Sequence, residues 1–157
     1  MWLAEQMGQG APAHVSLGWT VTGDLDTTVL EDALARLVAG HEILRTAFRM
    51  RGGTVCQVVQ QPWWPRVRSF VAEDGDGPEE AAARWLDEAA GRPFDLAAGQ
   101  LLRAAVADCG PRGTAFMLCV HHLVVDGESV RVLISELERC YRDSLAGVPS
   151  APPALQY

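Results

Sequence analysis

Two adjacent histidines, His121 and His122, are followed after three apolar residues by Asp126 and Gly127. An imidazole gives up its proton near neutrality, at about pH 6.5. It is therefore suited to accepting, donating or steering a proton at a reacting nitrogen or oxygen. Neighbouring residues on a strand point to opposite faces, so one histidine should pack or hydrogen-bond inside while the other faces a cleft. Leu123, Val124 and Val125 make the connecting loop apolar, hence tucked in rather than solvated. Asp126 returns four residues after His122 and reads as a buried carboxylate. Gly127 permits a tight backbone approach or a positive φ. A helix starting near Glu128 then offers N-terminal amides, which favour an anion or a developing oxyanion.

Other readings of these residues stand beside this one. A histidine at a strand end is often a satisfied structural group. Two histidines and an aspartate could hold a metal, but adjacent histidines face apart and no third clear ligand lies nearby. Ser129 is close enough in sequence to suggest a nucleophile, yet a serine at a helix start more often serves as a cap.

The elements that must position this segment can be read from periodicity. Thr114 to His121 is apolar on both faces, which predicts a central strand covered on both sides. From Glu128, a stripe of Val130, Leu133, Ile134, Leu137, Tyr141 and Leu145 predicts a long helix with Arg131, Glu138 and Arg142 outside, ended by Gly147 and Pro149. His14 to Thr22 alternates, with Val15, Leu17, Trp19 and Val21 on one side. A turn and a capping Asp26 precede a helix whose stripe is Val29, Leu30, Ala33, Leu34, Leu37 and Val38, ended by Gly40. Strands from about Ala47 to Met50 and Val55 to Gln60 flank Gly52-Gly53, a hairpin signal. Pro62-Trp63-Trp64-Pro65 interrupts; Arg66 to Val71 suits a strand. Pro78 suits the first turn of a helix that sets Ala82, Leu86 and Ala89 on one face, with Trp85 beside them. Leu101 to Ala107 reads as a strand. Trp19 and Trp85 read as core residues. The expected class is α/β: a mixed sheet covered by helices, in an α+β sandwich.

The 157-residue length suits one domain, and 48% apolar with 21% charged residues is ordinary for a globular chain. A net charge of −7 argues against nucleic acid or an anionic membrane as partner. Cys56, Cys109, Cys119 and Cys140 form no CxxC pair, which fits a thiol-bearing cytoplasmic protein. The opening MWLAEQMGQG lacks a basic region and a long apolar run, so no secretory signal is expected. No stretch of about 18 apolar residues predicts a membrane helix.

Four segments in order resemble the condensation domain family of non-ribosomal peptide synthetases. Trp2-Leu3-Ala4-Glu5-Gln6 resembles the end of the family's opening motif. Gly40 to Phe48 (GHEILRTAF) resembles its RHExLRTxF motif, with glycine for the leading arginine. Phe94 to Arg103 (FDLAAGQLLR) resembles FDLxxGPLLR, with glutamine for proline. His121 to Gly127 matches HHxxxDG in full.

The resemblance implies one lobe of a two-lobed fold of the chloramphenicol acetyltransferase type, with the active site in a tunnel between lobes. On that basis residues 1–148 are expected to be the N-terminal lobe, and 149–157 the start of a linker to a C-terminal lobe. The implied activity joins a donor acyl or peptidyl thioester to an acceptor aminoacyl thioester. Both are carried on phosphopantetheine of donor and acceptor peptidyl carrier proteins, and the lobe itself binds no cofactor and no metal. His122 and Gly127 are carried over as the residues at the reacting centre. His121 is carried over as the inward, orienting histidine, and Asp126 as a structural carboxylate, with Arg45 as its ion-pair partner. A related coenzyme A-dependent acyltransferase, and a non-catalytic folding or binding fragment, are the alternatives. The isolated lobe is expected to be inactive, and its exposed interface could support a dimer.

Overall fold

The computed structural model describes residues 14–73 and 75–149. The opening motif at Trp2–Gln6 and the tail from residue 150 lie outside the described residues. In chain order the elements are β1 (His14–Val21), α1 (Thr27–Gly40), a 3₁₀ turn (Glu42–Arg45), β2 (Thr46–Arg51), β3 (Thr54–Val59), β4 (Val67–Val71), α2 (Pro78–Ala90), β5 (Leu102–Asp108), a second 3₁₀ turn (Gly110–Arg112), β6 (Thr114–His121) and α3 (Gly127–Leu145). They fall into two compact units that interleave along the sequence. One comprises the described residues up to Thr27 with Arg66–Pro93 and Leu102–Val125; the other comprises Thr28–Pro65, Phe94–Leu101 and the residues from Asp126 onward.

The first unit is a four-stranded sheet in the order β1-β6-β5-β4. β6 runs antiparallel to both neighbours, with His14 opposite His121 on one side and Leu102 opposite Val120 on the other. β4 joins parallel to β5, which makes the sheet mixed. Every residue of β6 after Thr114 is buried, as its two-sided apolar run requires.

α2 lies across one face of this sheet. It passes so close to β1 that a Cβ on Gly18 would meet Ala82 and Leu86 at 3.3 Å. The side of β1 that carries Ser16, Gly18 and Thr20 is thus the side the helix crosses, although its composition alone reads as an outer face. Ala81, Ala82, Trp85 and Ala89 of α2 are buried. Trp19 is half-buried and stacks on Phe116, with ring centroids 5.2 Å apart. Pro78 opens α2, and the Glu80 carboxylate accepts a hydrogen bond from the Gly77 N–H at 3.0 Å. At the other end the Arg103 guanidinium donates to the carbonyls of Ala89, Arg92 and Pro93 at 3.1, 2.7 and 2.6 Å. One of these carbonyls lies in the last turn of α2 and two in the segment just after it, so Arg103 ties the helix end to β5.

The second unit holds α1, the β2–β3 hairpin, the segment 94–101 and α3. Leu30, Ala33, Leu34, Leu37 and Val38 are the buried stripe of α1, and Leu133, Leu137 and Cys140 that of α3. Leu145, placed on that stripe by periodicity, is 58% exposed because it is the last residue of the helix. The two helices are tied where the Ser144 hydroxyl donates to Asp32 at 2.6 Å, a carboxylate that Arg36 also reaches at 2.7 Å.

The segment 94–101 explains its own spacing. Asp95 accepts from the N–H groups of Ala97 and Ala98 at 2.9 and 3.2 Å, and the Leu96 carbonyl accepts from the Phe48 N–H at 2.8 Å. Gly99 follows with φ +71, and a Cβ there would stand 3.0 Å from the Ala47 nitrogen. Glycine is required at that position twice, by backbone conformation and by space.

Candidate active site

β6 ends at His121, and the chain turns immediately through His122 and Leu123. His121 is fully buried. Its Nδ1 accepts a hydrogen bond from the Leu123 N–H at 2.9 Å, and the His121 carbonyl accepts from the Val124 N–H at 3.1 Å. One residue thus holds both amides that follow the turn. A nitrogen that accepts carries no proton, so neutral His121 has its proton on Nε2. Val124 and Val125 are buried, as the apolar loop requires, whereas His122 is exposed. The expectation of one inward and one outward histidine is met, and the inward one grips the turn that carries the other.

Asp126 stands otherwise than expected. It is exposed, not buried, and it is the N-cap of α3: its Oδ1 accepts from the Ser129 N–H at 2.8 Å and from the Ser129 hydroxyl at 2.5 Å. The hydroxyl and then the amide of Ser129 hold its carboxyl below the ordinary range. Asp126 forms no ion pair with Arg45. The Arg45 guanidinium donates instead to the Gln60 carbonyl at 2.7 Å and reaches Glu42 at 3.5 Å, while the Gln60 N–H returns a bond to the Arg45 carbonyl at 2.8 Å. Arg45 therefore fastens the 3₁₀ turn to the far end of β3. The physical reason is proximity: backbone acceptors within its own hairpin are closer than any distant carboxylate. The Asp-x-x-Ser spacing is a helix-start signal in the sequence, masked by reading Asp126 as part of a catalytic loop.

This changes what the start of α3 can do. The Asp126 carboxylate supplies negative charge to that helix end and takes up the Ser129 amide. Ser129 is engaged with Asp126 and is the partner of the cap rather than the cap itself. Gly127 does not take the positive φ that its type permits; it is the first residue of the helix, and a Cβ there would meet nothing within 4 Å among the described residues. Neither backbone strain nor packing among those residues explains a glycine at that point.

The segment Gly40–Phe48 is bound by internal contacts. In GHEILRTAF, the Thr46 hydroxyl donates to the Glu42 carbonyl at 2.8 Å, and Trp63 donates through Nε1 to the Leu44 carbonyl at 3.3 Å. Trp63 is thus a loop anchor, while Trp64 is 53% exposed. Burial lowers the pKa of His41; Glu136 opposes that shift and Arg139 adds to it. Among the described residues no three His, Cys, Asp or Glu side chains gather as metal ligands, and the four cysteines are free thiols. No helix among the described residues is long and apolar enough to cross a membrane.

The family profile of the Condensation domain matches residues 1–157. The chain belongs to the Condensation domain family. Tyrocidine synthase 3 of Brevibacillus parabrevis is 36% identical over 142 residues, covering 90% of this chain and 2% of that protein. A chondramide synthase of Chondromyces crocatus is 33% identical over 162 aligned positions, covering 100% of this chain and 4% of that one. Among solved structures, the first condensation domain of the calcium-dependent antibiotic synthetase in complex with a substrate analogue superposes with a TM-score of 0.82 at 30% identity, covering 98% of this chain and 37% of that chain. The chain thus spans a small part of the curated relatives it matches and well under half of that solved domain.

Proposed function

We propose that this chain is the motif-bearing lobe of a peptide synthetase condensation domain, with His122 at the acceptor amine. The reaction is amide formation between two thioesters held on the phosphopantetheine arms of a donor and an acceptor carrier protein. The acceptor nitrogen attacks the donor carbonyl; the new C–N bond forms, the C–S bond breaks, and the donor arm leaves as a thiol. An α-amino group has a pKa of about 7.7–8.0, so some neutral nucleophile is present at pH 7 before any base acts. His122 positions that amine and removes the proton that the nitrogen sheds in the tetrahedral intermediate. Gly127 leaves room for the reacting groups. The lobe binds no cofactor of its own, and its partners are the two carrier proteins and a second lobe. The setting is the cytoplasm, where synthetase substrates are activated.

The observation that carries this reading is the division of labour in the histidine pair. His121 is sealed and bonded to the turn; His122 is the accessible imidazole of the pair, just beyond a strand that is buried from Ala115 onward. The test is amide formation between two loaded carrier proteins by the complete two-lobed protein. His122→Ala should lower turnover by about 10²–10⁴-fold, the usual worth of a positioned acid–base group, without altering the melting profile. Undiminished turnover in a folded His122→Ala protein would remove the basis of the reading. Residues 1–157 alone are expected to give no turnover.

A further inference from the structure

We propose that His14 is a positioning residue for the working imidazole, acting through His121 to hold the turn that presents His122. This rests on the reading of His122 given above. The two residues are far apart in the chain but are direct partners across β1 and β6, in a register that continues through Val15–Val120 and Ser16–Cys119. Cross-strand partners place their side chains on the same face. The His14 ring meets the His121 ring edge to face, with centroids 5.9 Å apart and planes at 66°. Both ring nitrogens of His14 are shielded from solvent, and His121 is fully buried.

The consequence follows from what His121 does. Its Nδ1 can accept the Leu123 N–H only while the ring keeps one orientation and one tautomer. A ring flip about χ2 would replace Nδ1 by carbon and leave that amide without its acceptor. The His14 ring packs against the His121 ring at an angle of 66°, and a neighbour so placed on a buried ring restrains its turning. β6 ends at His121, so the ladder no longer holds the chain beyond it. The order of the turn therefore depends on one imidazole whose orientation a second imidazole guards. An aromatic ring is what this role needs; an aliphatic side chain of similar bulk fills space but gives no flat edge.

The experiment uses the complete two-lobed protein with His14→Leu and His14→Phe substitutions, and reads hydrogen exchange in peptides covering 119–126 together with condensation kinetics. His14→Leu should speed exchange in those peptides by about tenfold or more, with peptides of α3 unchanged. It should lower kcat by about ten- to a hundredfold, as a small misplacement of a reacting group does, with KM for the acceptor carrier unchanged. His14→Phe should restore both. Wild-type exchange rates in His14→Leu would overturn the proposal whatever the kinetics show. A variant that unfolds throughout would be replaced by His14→Tyr against His14→Met, with the same contrast expected. Faster exchange around the turn in a protein whose wild type makes no amide would uphold the contact and defeat the functional reading instead.

Discussion

Replacing Gly127 by alanine separates the demands of folding from those of chemistry. Gly127 has a helical φ at the first position of α3, and the added methyl would meet nothing within 4 Å among the described residues. Alanine therefore introduces no clash and no backbone strain. It also restricts the unfolded chain, which at a compatible site stabilises a protein by about 0.4–1 kcal/mol. For a chain of this size each kcal/mol raises the melting temperature by about 2–4 °C, so a rise of roughly 1–4 °C is expected. If the glycine is there to leave space for reacting thioesters, the same methyl should lower condensation by at least about tenfold, an effect of about 1.4 kcal/mol on the barrier. The assay is a thermal melt of the 157-residue chain beside amide formation by the two-lobed protein. A melting temperature lowered by several degrees would mean that folding itself needs the glycine. A stabilised protein with unchanged turnover would show that the position has no part in the reaction.

Further outcomes follow from the contacts around the site. Asp126→Asn should keep the cap on α3, because asparagine caps as well as aspartate, whereas Asp126→Ala should lower the melting temperature. The folded-state carboxyl of Asp126 lies below its ordinary value of 3.8. Its stabilisation is therefore present above that value and lost as pH falls through the lower folded one, and Asp126→Asn should flatten the acid limb of a stability–pH curve. His41 is shifted down as well, by a different cause: burial holds its folded pKa below 6.5, so the unfolded chain takes the proton more readily. Stability should rise with pH through that window and reach its plateau above 6.5. His41→Leu should remove the slope in urea midpoints taken between pH 5 and 8. Gly99→Ala forces a positive φ on alanine and crowds the Ala47 backbone; a loss of about 1–3 kcal/mol in urea unfolding is expected.

Much of the architecture was legible because the determinants are local. β6 is an apolar run bounded by Gly113 and a pair of histidines, and its observed limits, Thr114–His121, are those the pattern predicts. The helices announce themselves by stripes at helical spacing and by Gly40, Pro78 and Gly147 at their ends. The misreadings concern partners. Asp126 reads as a buried carboxylate seeking a distant arginine, yet Ser129, three residues on, takes it as a helix cap. Arg45 reads as that arginine, yet the carbonyl at the end of its own hairpin claims it. In both cases a nearby bond with little loop closure to meet won over a remote charge pair.

What the sequence determined by itself is the set of elements and the motif order that places the chain in its family, since periodicity, turn chemistry and motif spacing are all properties of neighbours along the chain. What only tertiary structure decided is who stands beside whom. It made β4 parallel to β5, set α2 across the face of β1 that looks polar, and brought His14 against His121. Strand order and register arise from how whole faces pack, and no local pattern encodes them.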